Sequence, residues 1–278
     1  VEGGSSKVNT TLFPWIGGKF YLLEHLYPLP THDVFIDVFG GSGVVSLNYK
    51  GSGRVVYNDI NSRVVNFYKC LAKDPEFLMK LCYTKGLLDS KELFKEYQAT
   101  VDNLMEDAAR YFYVGQHSYR GLQDTFHEIE IDRKRHEVFL NKVKMLKAFW
   151  RTVKTWQIEN IDYKDLIKRC QKQPNTLMYL DPPYSIGTEY YDRMPGNPQK
   201  PFDINEMVEA LIDCQCKVMI SYDDLEPLEP LVDLGYSVQK IKRVQRANVA
   251  KGKGKEEVAE YILRNFKTTR KIDEFMED

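Results

Sequence analysis

The sequence predicts an α/β fold in which a parallel sheet is interrupted by a long, mostly helical insert. Three observations predict it. Val34 to Val38 (VFIDV) is a short β-branched apolar run that ends in a glycine cluster. Arg54 to Asn58 (RVVYN) repeats the pattern, with helical sequence between the two. Thr176 to Leu180 (TLMYL) resumes it after a stretch rich in Lys, Glu, Leu, Phe and Tyr, where strand signals disappear. Strand–helix–strand alternation of this kind is the mark of a parallel sheet.

The elements follow in order. Val1 to Ser6 (VEGGSS) reads as an expression remnant and is set outside the fold. Gly43 to Asn48 has helical character after the first strand, and Asn61 to Lys73 is an amphipathic helix after the second. Residues 74–160 form the expected insert, with long helical stretches on either side of Gly115 to His136. Within that segment Thr125 to Ile131 (TFHEIEI) alternates like a β-hairpin arm. Lys217 to Ser221 (KVMIS) is a further strand. Tyr236 to Val244 and Val258 to Arg264 read as a final antiparallel pair joined by a Lys/Gly loop. The expected organisation is therefore residues 7–73 and 161–270 as one domain and 74–160 as its insert.

Bulk composition excludes several classes. The 278 residues suffice for one core plus a small insert domain. No apolar run approaches the ~20 residues a membrane span needs, and no basic-then-apolar leader is present. Five cysteines (Cys70, Cys82, Cys170, Cys214, Cys216) show no paired CxxC spacing. Neither a zinc site nor a disulfide framework is indicated, no metal is expected, and a reducing, cytoplasmic compartment is. Net charge is −1, so the chain as a whole makes no electrostatic argument for nucleic acid. Positive charge is instead concentrated locally, in Arg133-Lys134-Arg135, Lys240 to Arg246 (KIKRVQR) and Lys251 to Lys255 (KGKGK).

Two motifs carry chemistry. In Asp37-Val38-Phe39-Gly40-Gly41-Ser42-Gly43 a strand ends, glycines turn the chain, and a helix begins. Glycines let a ligand approach the backbone beyond the strand's carboxyl end. Asp59, at the end of the second strand, can accept hydrogen bonds from both hydroxyls of a ribose. The loop does not match GxGxxG, so the cofactor need not carry a pyrophosphate. Asp181-Pro182-Pro183-Tyr184 follows an apolar strand. As plain structure, two prolines end a strand. As chemistry, the carboxylate and a nearby carbonyl can accept both protons of an exocyclic amine and leave its lone pair free to attack. Tyr184 offers a ring for a base turned out of a helix. A third segment, Pro14-Trp15-Ile16-Gly17-Gly18-Lys19, becomes informative in this company.

The order PWIGGK, DVFGGSG, YNDIN, a long insert and then LDPPYS resembles the Dam-type (D12 class) adenine-N6 DNA methyltransferases, with the motif order of their alpha group. The resemblance runs from about Leu12 to Phe266 and includes VMISYDD and EVAEYILRNF near the end. It implies a Rossmann-like S-adenosylmethionine-dependent methyltransferase fold with an inserted target-recognition subdomain. It implies that Trp15 and Lys19 help bind S-adenosylmethionine, that Asp37, Phe39, Gly41 and Gly43 form the loop on its amino-acid side, and that Asp59 holds its ribose. Asp162 would sit at the cofactor's adenine ring; otherwise it is a helix cap. Asp181 is shared between cofactor and catalysis, and Pro182, Pro183 and Tyr184 complete the pocket for the target base. The partner implied is double-stranded DNA, without metal or membrane, in a bacterial cell or encoded by a phage or mobile element. The exocyclic amine is itself the nucleophile, so the unused cysteines fit.

The insert departs from the family. Where an Asn-Arg pair and an aromatic-Asn-Gly are usual, the sequence reads Tyr113-Val114-Gly115-Gln116-His117-Ser118-Tyr119-Arg120-Gly121. Arg120, Arg133, Lys134 and Arg135, with the Lys/Gly loop, are the candidate DNA contacts. The recognition sequence stays open, as does the oligomeric state. Two rivals remain: a silent DNA- or RNA-binding module on a methyltransferase scaffold, or the same chemistry on cytosine N4, RNA adenine or a protein amide. Intact Lys19, Asp59 and Asp181 speak against the first, and Asp before Pro-Pro-Tyr together with PWxGGK against the second.

Overall fold

Short strands built on consecutive apolar residues, such as VFI, VVY and LMYL, are buried on both faces, and that is how the central strands are used. The computed structural model describes residues 11–15, 17–87, 90–118, 121, 123–126, 133–184, 194–198, 201–246 and 255–267, with backbone alone at 133–135, 243–246 and 255–258. Among them seven strands form one sheet in the order β3-β2-β1-β4-β5-β7-β6. These are β1 (Val34–Asp37), β2 (Arg54–Asn58), β3 (Gln157–Glu159), β4 (Thr176–Leu180), β5 (Lys217–Tyr222), β6 (Ser237–Arg246) and β7 (Lys255–Arg264). The first five in spatial order run parallel, and β7 is antiparallel to both β5 and β6. The order is that of a doubly wound Rossmann sheet with one antiparallel strand slipped in beside the last.

Period-2 alternation sends the strand side chains into two cores. Phe35, Tyr57, Leu177, Tyr179 and Met219 face one; Ile36, Val56, Met178, Leu180, Val218 and Ile220 face the other. The first core is covered by α2 (Ser62–Lys73), α3 (Pro75–Lys85), α4 (Lys91–Gln98), α5 (Leu104–His117) and α6 (Arg133–Val153). The second is covered by α7 (Tyr163–Cys170), α8 (Ile204–Leu211) and α9 (Glu229–Asp233). Between β1 and β2 lies the short α1 (Val44–Leu47). Side-chain caps start most of the longer helices: Asn61 for α2, Asp74 for α3, Ser90 for α4, Asn103 for α5, Asp162 for α7 and Asp203 for α8.

The strands expected at 34–38, 54–58, 176–180 and 217–221 are β1, β2, β4 and β5 within one residue. The final pair is longer than its apolar alternation, reaching Arg246 and starting at Lys255, because hairpin hydrogen bonds continue through polar residues. Strand β3 (QIE) carries too little apolar signal to be seen in sequence; it sits at the sheet edge, paired to β2. Of the hairpin expected at Thr125 to Ile131, residues 127–131 lie outside the described residues; an isolated antiparallel bridge joins Ser118 and Phe126.

The helices α3–α6 of the 74–160 region share their core with α2 and the sheet. The joint is polar at its centre. Arg63, on α2 and 1% exposed, donates to the carbonyls of Gln98 (2.8 Å) and Tyr97 (3.0 Å). Its Nη2 also lies 3.0 Å from the Asp107 carboxylate on α5. That last contact is close but poorly aligned as a hydrogen bond, since the same Asp107 oxygen has no hydrogen-bonding partner.

Candidate active site

The crevice of such a sheet opens beyond the carboxyl ends of its strands, at the point where strand order reverses. Here that point lies between β1 and β4. A cavity at this place is lined by Trp15, Lys19, Asp37, Phe39, Gly41, Asp59, Asp162, Asp181 and Pro183, among others. Nine of the expected site residues therefore converge. Gly43, Pro182 and Tyr184 do not line the cavity. Gly43 is the N-cap of α1, and the Tyr184 ring lies under the Lys19 ammonium.

The loop after β1 is held by its neighbours. Gly41 has φ +50° and Gly43 φ +69°, backbone that a side chain rarely adopts. A Cβ on Gly41 would stand 2.7 Å from the Trp15 indole nitrogen, and one on Gly43 2.7 Å from the Tyr68 hydroxyl. The YNDIN segment then accounts for the loop residue by residue. Tyr57 donates its hydroxyl to the Gly41 carbonyl at 2.6 Å. Asn58 donates to the Val38 carbonyl and accepts from the Ile161 N–H, tying together the ends of β1, β2 and β3. Asp59 accepts the Gly41 N–H on one oxygen and the Asn61 N–H on the other, both at 2.7 Å. Asn61 caps α2. Asp59 thus clamps the glycine loop, and its carboxylate, with about four acceptor positions, keeps capacity for a ligand hydroxyl beyond these backbone bonds.

Three carboxylates crowd the crevice. Asp37 accepts the Ser46 hydroxyl at 2.7 Å, and burial pushes its pKa up to about 7, with Asp181 and Asp59 adding to the rise. Burial also pushes Asp59 up to about 6 against its backbone hydrogen bonds. Burial raises Asp181, and the Lys19 ammonium at 2.7 Å opposes the rise. Ser221 of β5 donates to the same Asp181 oxygen at 3.2 Å and is itself 2.8 Å from the Tyr179 hydroxyl. Lys19 also donates to the Gly17 carbonyl at 2.7 Å, so the approach to the site from the chain's start is tied to Asp181.

At the far end of the cavity Phe39, Tyr163 and Phe202 meet with ring centroids 5.4–5.7 Å apart. Asp162 stands there and caps α7 through the Lys164 N–H at 2.9 Å. It is therefore a cap and a cavity residue at once, and the two readings made of it in sequence are not exclusive. Arg120 lies outside the described residues; Arg133, Lys134 and Arg135 form the first turn of α6, their side chains outside them too. Among the described residues no cluster of three or more His, Cys, Asp or Glu could hold a metal ion, and no helix is long and apolar enough to cross a membrane.

Sequence reading missed Ser221, Asn58 and Glu260. Glu260, on β7 and 5% exposed, lies 3.8 Å from Lys19 and accepts the hydroxyls of both Tyr21 and Tyr184. Its signal was an acid in an apolar strand, EVAEYILRNF.

Comparison with known proteins agrees with this geometry. The family profile of the D12 class N6 adenine-specific DNA methyltransferases matches residues 15–248. The DNA N-6-adenine-methyltransferase of Escherichia phage P1 is 23% identical over 84% of this chain and 33% of its own length. The chain thus spans about a third of that relative. The type II methyltransferase M1.LlaDCHI of Lactococcus lactis subsp. cremoris is 25% identical over 94% of this chain and 97% of its own length. Modification methylase StsI of Streptococcus sanguinis is 24% identical over 64% of this chain and 29% of its own length. The structure of precorrin-6y C5,15-methyltransferase from Geobacter metallireducens overlays with a TM-score of 0.36 and 13% identity over 86% of this chain and 82% of that one, too loosely to argue from. The glycine loop, its acidic clamp and the Asp-Pro-Pro-Tyr turn all fall within the matched residues, and the chain belongs to the D12 class of N6 adenine-specific DNA methyltransferases.

Proposed function

We propose that this protein transfers a methyl group from S-adenosylmethionine to the exocyclic N6 of an adenine turned out of duplex DNA. The observation that carries the reading is the convergence of the glycine loop, Asp59 and Asp181 on one cavity. The residues suit the donor: a glycine loop in the cavity wall at Gly40 and Gly41, a carboxylate beside it at Asp59, and an aromatic cluster at Phe39, Tyr163 and Phe202 for a flat ring. When bound, S-adenosylmethionine supplies an electrophilic methyl. Trp15 and Lys19 close the loop side, and Asp162 stands at the ring end.

Asp181 accepts an N–H of the target amine, which draws the nitrogen lone pair out of ring conjugation. Its carboxylate is ready to do so because Lys19 and Ser221 orient it. Pro182 and Pro183 keep the turn rigid, and Tyr184 supplies a stacking ring. In this reading residues 7–73 and 161–270 are the catalytic part and 74–160 the target-recognition insert. Its setting is the cytoplasm of a bacterial cell. The test is tritiated-methyl transfer to a random-sequence duplex library, with modified adenines mapped by single-molecule sequencing. Label on cytosine, on RNA or on nothing would overturn the reading.

Asp59→Ala is expected to weaken S-adenosylmethionine binding by roughly 10- to 150-fold, the value of a charge-assisted hydrogen bond. Because the acceptor must be ionised, wild-type affinity is full well above pH 6 and declines as pH falls through about 6 and Asp59 takes up a proton. The same raised pKa means that ligand-free stability falls as pH rises from about 4 through about 6. Calorimetry across this range reads the affinity; an unchanged constant in the variant would mean that the ribose is held elsewhere.

Two contact types are expected in the insert. Arg120→Ala relaxes preference at one base pair by roughly 1–3 kcal/mol, as loss of a bidentate guanine contact would. Removing Arg133, Lys134 and Arg135 together weakens all sequences alike and flattens the salt dependence, as loss of phosphate contacts would. Wild-type site preference and salt slope in both variants would move the reading head to the Lys251 to Lys255 loop.

A further inference from the structure

A buried carboxylate is costly unless something compensates it, and Glu260 is buried where a single ammonium already faces Asp181. Its surroundings explain the placement. One oxygen accepts the Tyr184 hydroxyl and the other the Tyr21 hydroxyl, so the group bridges the 3-10 turn Phe20–Leu22 and the Asp-Pro-Pro-Tyr turn. Lys19 lies 2.7 Å from Asp181 but 3.8 Å from Glu260, and 4.2 Å from the centre of the Tyr184 ring. The Tyr184 ring meets Tyr222 edge-on, with centroids 5.6 Å apart and planes at 88°. Ring plane, hydroxyl and ring face are thus set by three different neighbours, of which Glu260 holds the hydroxyl.

We propose that Glu260 is a positioning residue for methyl transfer: it fixes the Tyr184 ring against which the target base stacks, and it draws Lys19 so that the ammonium does not lock onto Asp181 alone. The inference rests on the methyl-transfer reading above and extends it to a strand on which that reading places nothing. Two consequences follow from electrostatics. An amine entering the site competes for the charge of Asp181, one of whose oxygens already takes both Lys19 and Ser221. Glu260 offers Lys19 a second negative partner, so the Lys19–Asp181 contact can lengthen without stranding a buried cation. Removing the carboxylate deprives Lys19 of its second acidic partner, leaving Asp181, and at the same time unpins Tyr184.

The test compares wild type, Glu260→Ala, Glu260→Gln, Tyr184→Phe and the double variant Glu260→Ala/Tyr184→Phe. Turnover per cofactor-binding site is measured on duplex DNA, with S-adenosylmethionine affinity read by calorimetry. Glu260→Ala is expected to lower kcat by about 10- to 100-fold while cofactor affinity stays within about threefold. Glu260→Gln, which keeps an acceptor for the Tyr184 hydroxyl but not the charge, recovers part of that loss. In the double variant the two losses fall short of their product, because both act through one hydroxyl. A purely structural role would lower the melting temperature and the number of binding sites, yet leave turnover per site and the coupling untouched; that result overturns the proposal. Should the alanine variant fail to fold, Glu260→Gln with and without Tyr184→Phe decides by the same coupling. If wild type methylates DNA and the Glu260 variants match it, this inference alone falls. If wild type methylates no DNA, the reading of the site falls first and takes the inference with it.

Discussion

Asp181→Ala is expected to reduce methyl transfer to DNA by at least roughly a thousandfold, the loss typical of an acceptor or donor aimed at the reacting atom. The carboxylate is the acidic group that the Lys19 ammonium touches at 2.7 Å and the Ser221 hydroxyl at 3.2 Å. Both contacts orient it; neither replaces it. Asp181→Asn keeps one acceptor oxygen of the same shape, so its activity should fall between wild type and alanine. The alanine variant also leaves Lys19, whose side chain is 3% exposed, with Glu260 as its remaining acidic partner at 3.8 Å. Its melting temperature must therefore be followed beside its turnover, measured by tritiated-methyl incorporation. Alanine turnover near the wild-type rate would remove Asp181 from the chemistry.

Arg63→Ala is the substitution expected to cost most stability, about 3–5 kcal/mol, because it removes one partner of a buried ion pair and leaves the other uncompensated. Asp107 would stay buried on α5, and the carbonyls of Tyr97 and Gln98 would lose their donors. The consequence reaches the site. Arg63 is the second residue of α2, two positions past the Asn61 cap and four past Asp59. Loosening this joint should weaken cofactor affinity as well as stability. Replacing the pair with apolar residues, Arg63→Met with Asp107→Leu, should cost much less, since neither buried charge remains. Urea unfolding of wild type and the two variants measures this. A loss below about 1 kcal/mol for Arg63→Ala would show that the α2–α5 joint is held by its apolar contacts alone.

Most of the candidate site was legible because its chemistry depends on local backbone geometry. Gly41 and Gly43 are required where φ is positive, and a run of glycines after a strand advertises that directly. Asp59 was readable because the end of the adjacent strand must carry the acid that faces the loop. Asp181 was readable because the two prolines after it mark a turn at the end of β4. The same logic explains the strands. β1, β2 and β4 are buried on both faces, so they announce themselves by consecutive apolar residues, VFI, VVY and LMYL.

What sequence by itself determined, then, is everything set by a few consecutive residues: the central parallel strands, the glycine loop with its acidic clamp, the Asp-Pro-Pro-Tyr turn and the family they spell. Tertiary structure alone decided what those pieces meet. Strand β3 is polar and three residues long, and only backbone pairing with β2 makes it a strand. Whether Asp162 faced a ligand or capped a helix was undecidable locally, because the cap needs a neighbour in sequence and the cavity wall needs the fold. Glu260 lies 239 positions from Tyr21, yet both belong to one buried hydrogen-bonded group around Lys19. The physical reason is the same throughout. Backbone conformation is chosen by adjacent residues, whereas compensation of a buried charge is chosen by whichever groups the fold brings within a few ångströms, and no local pattern records that.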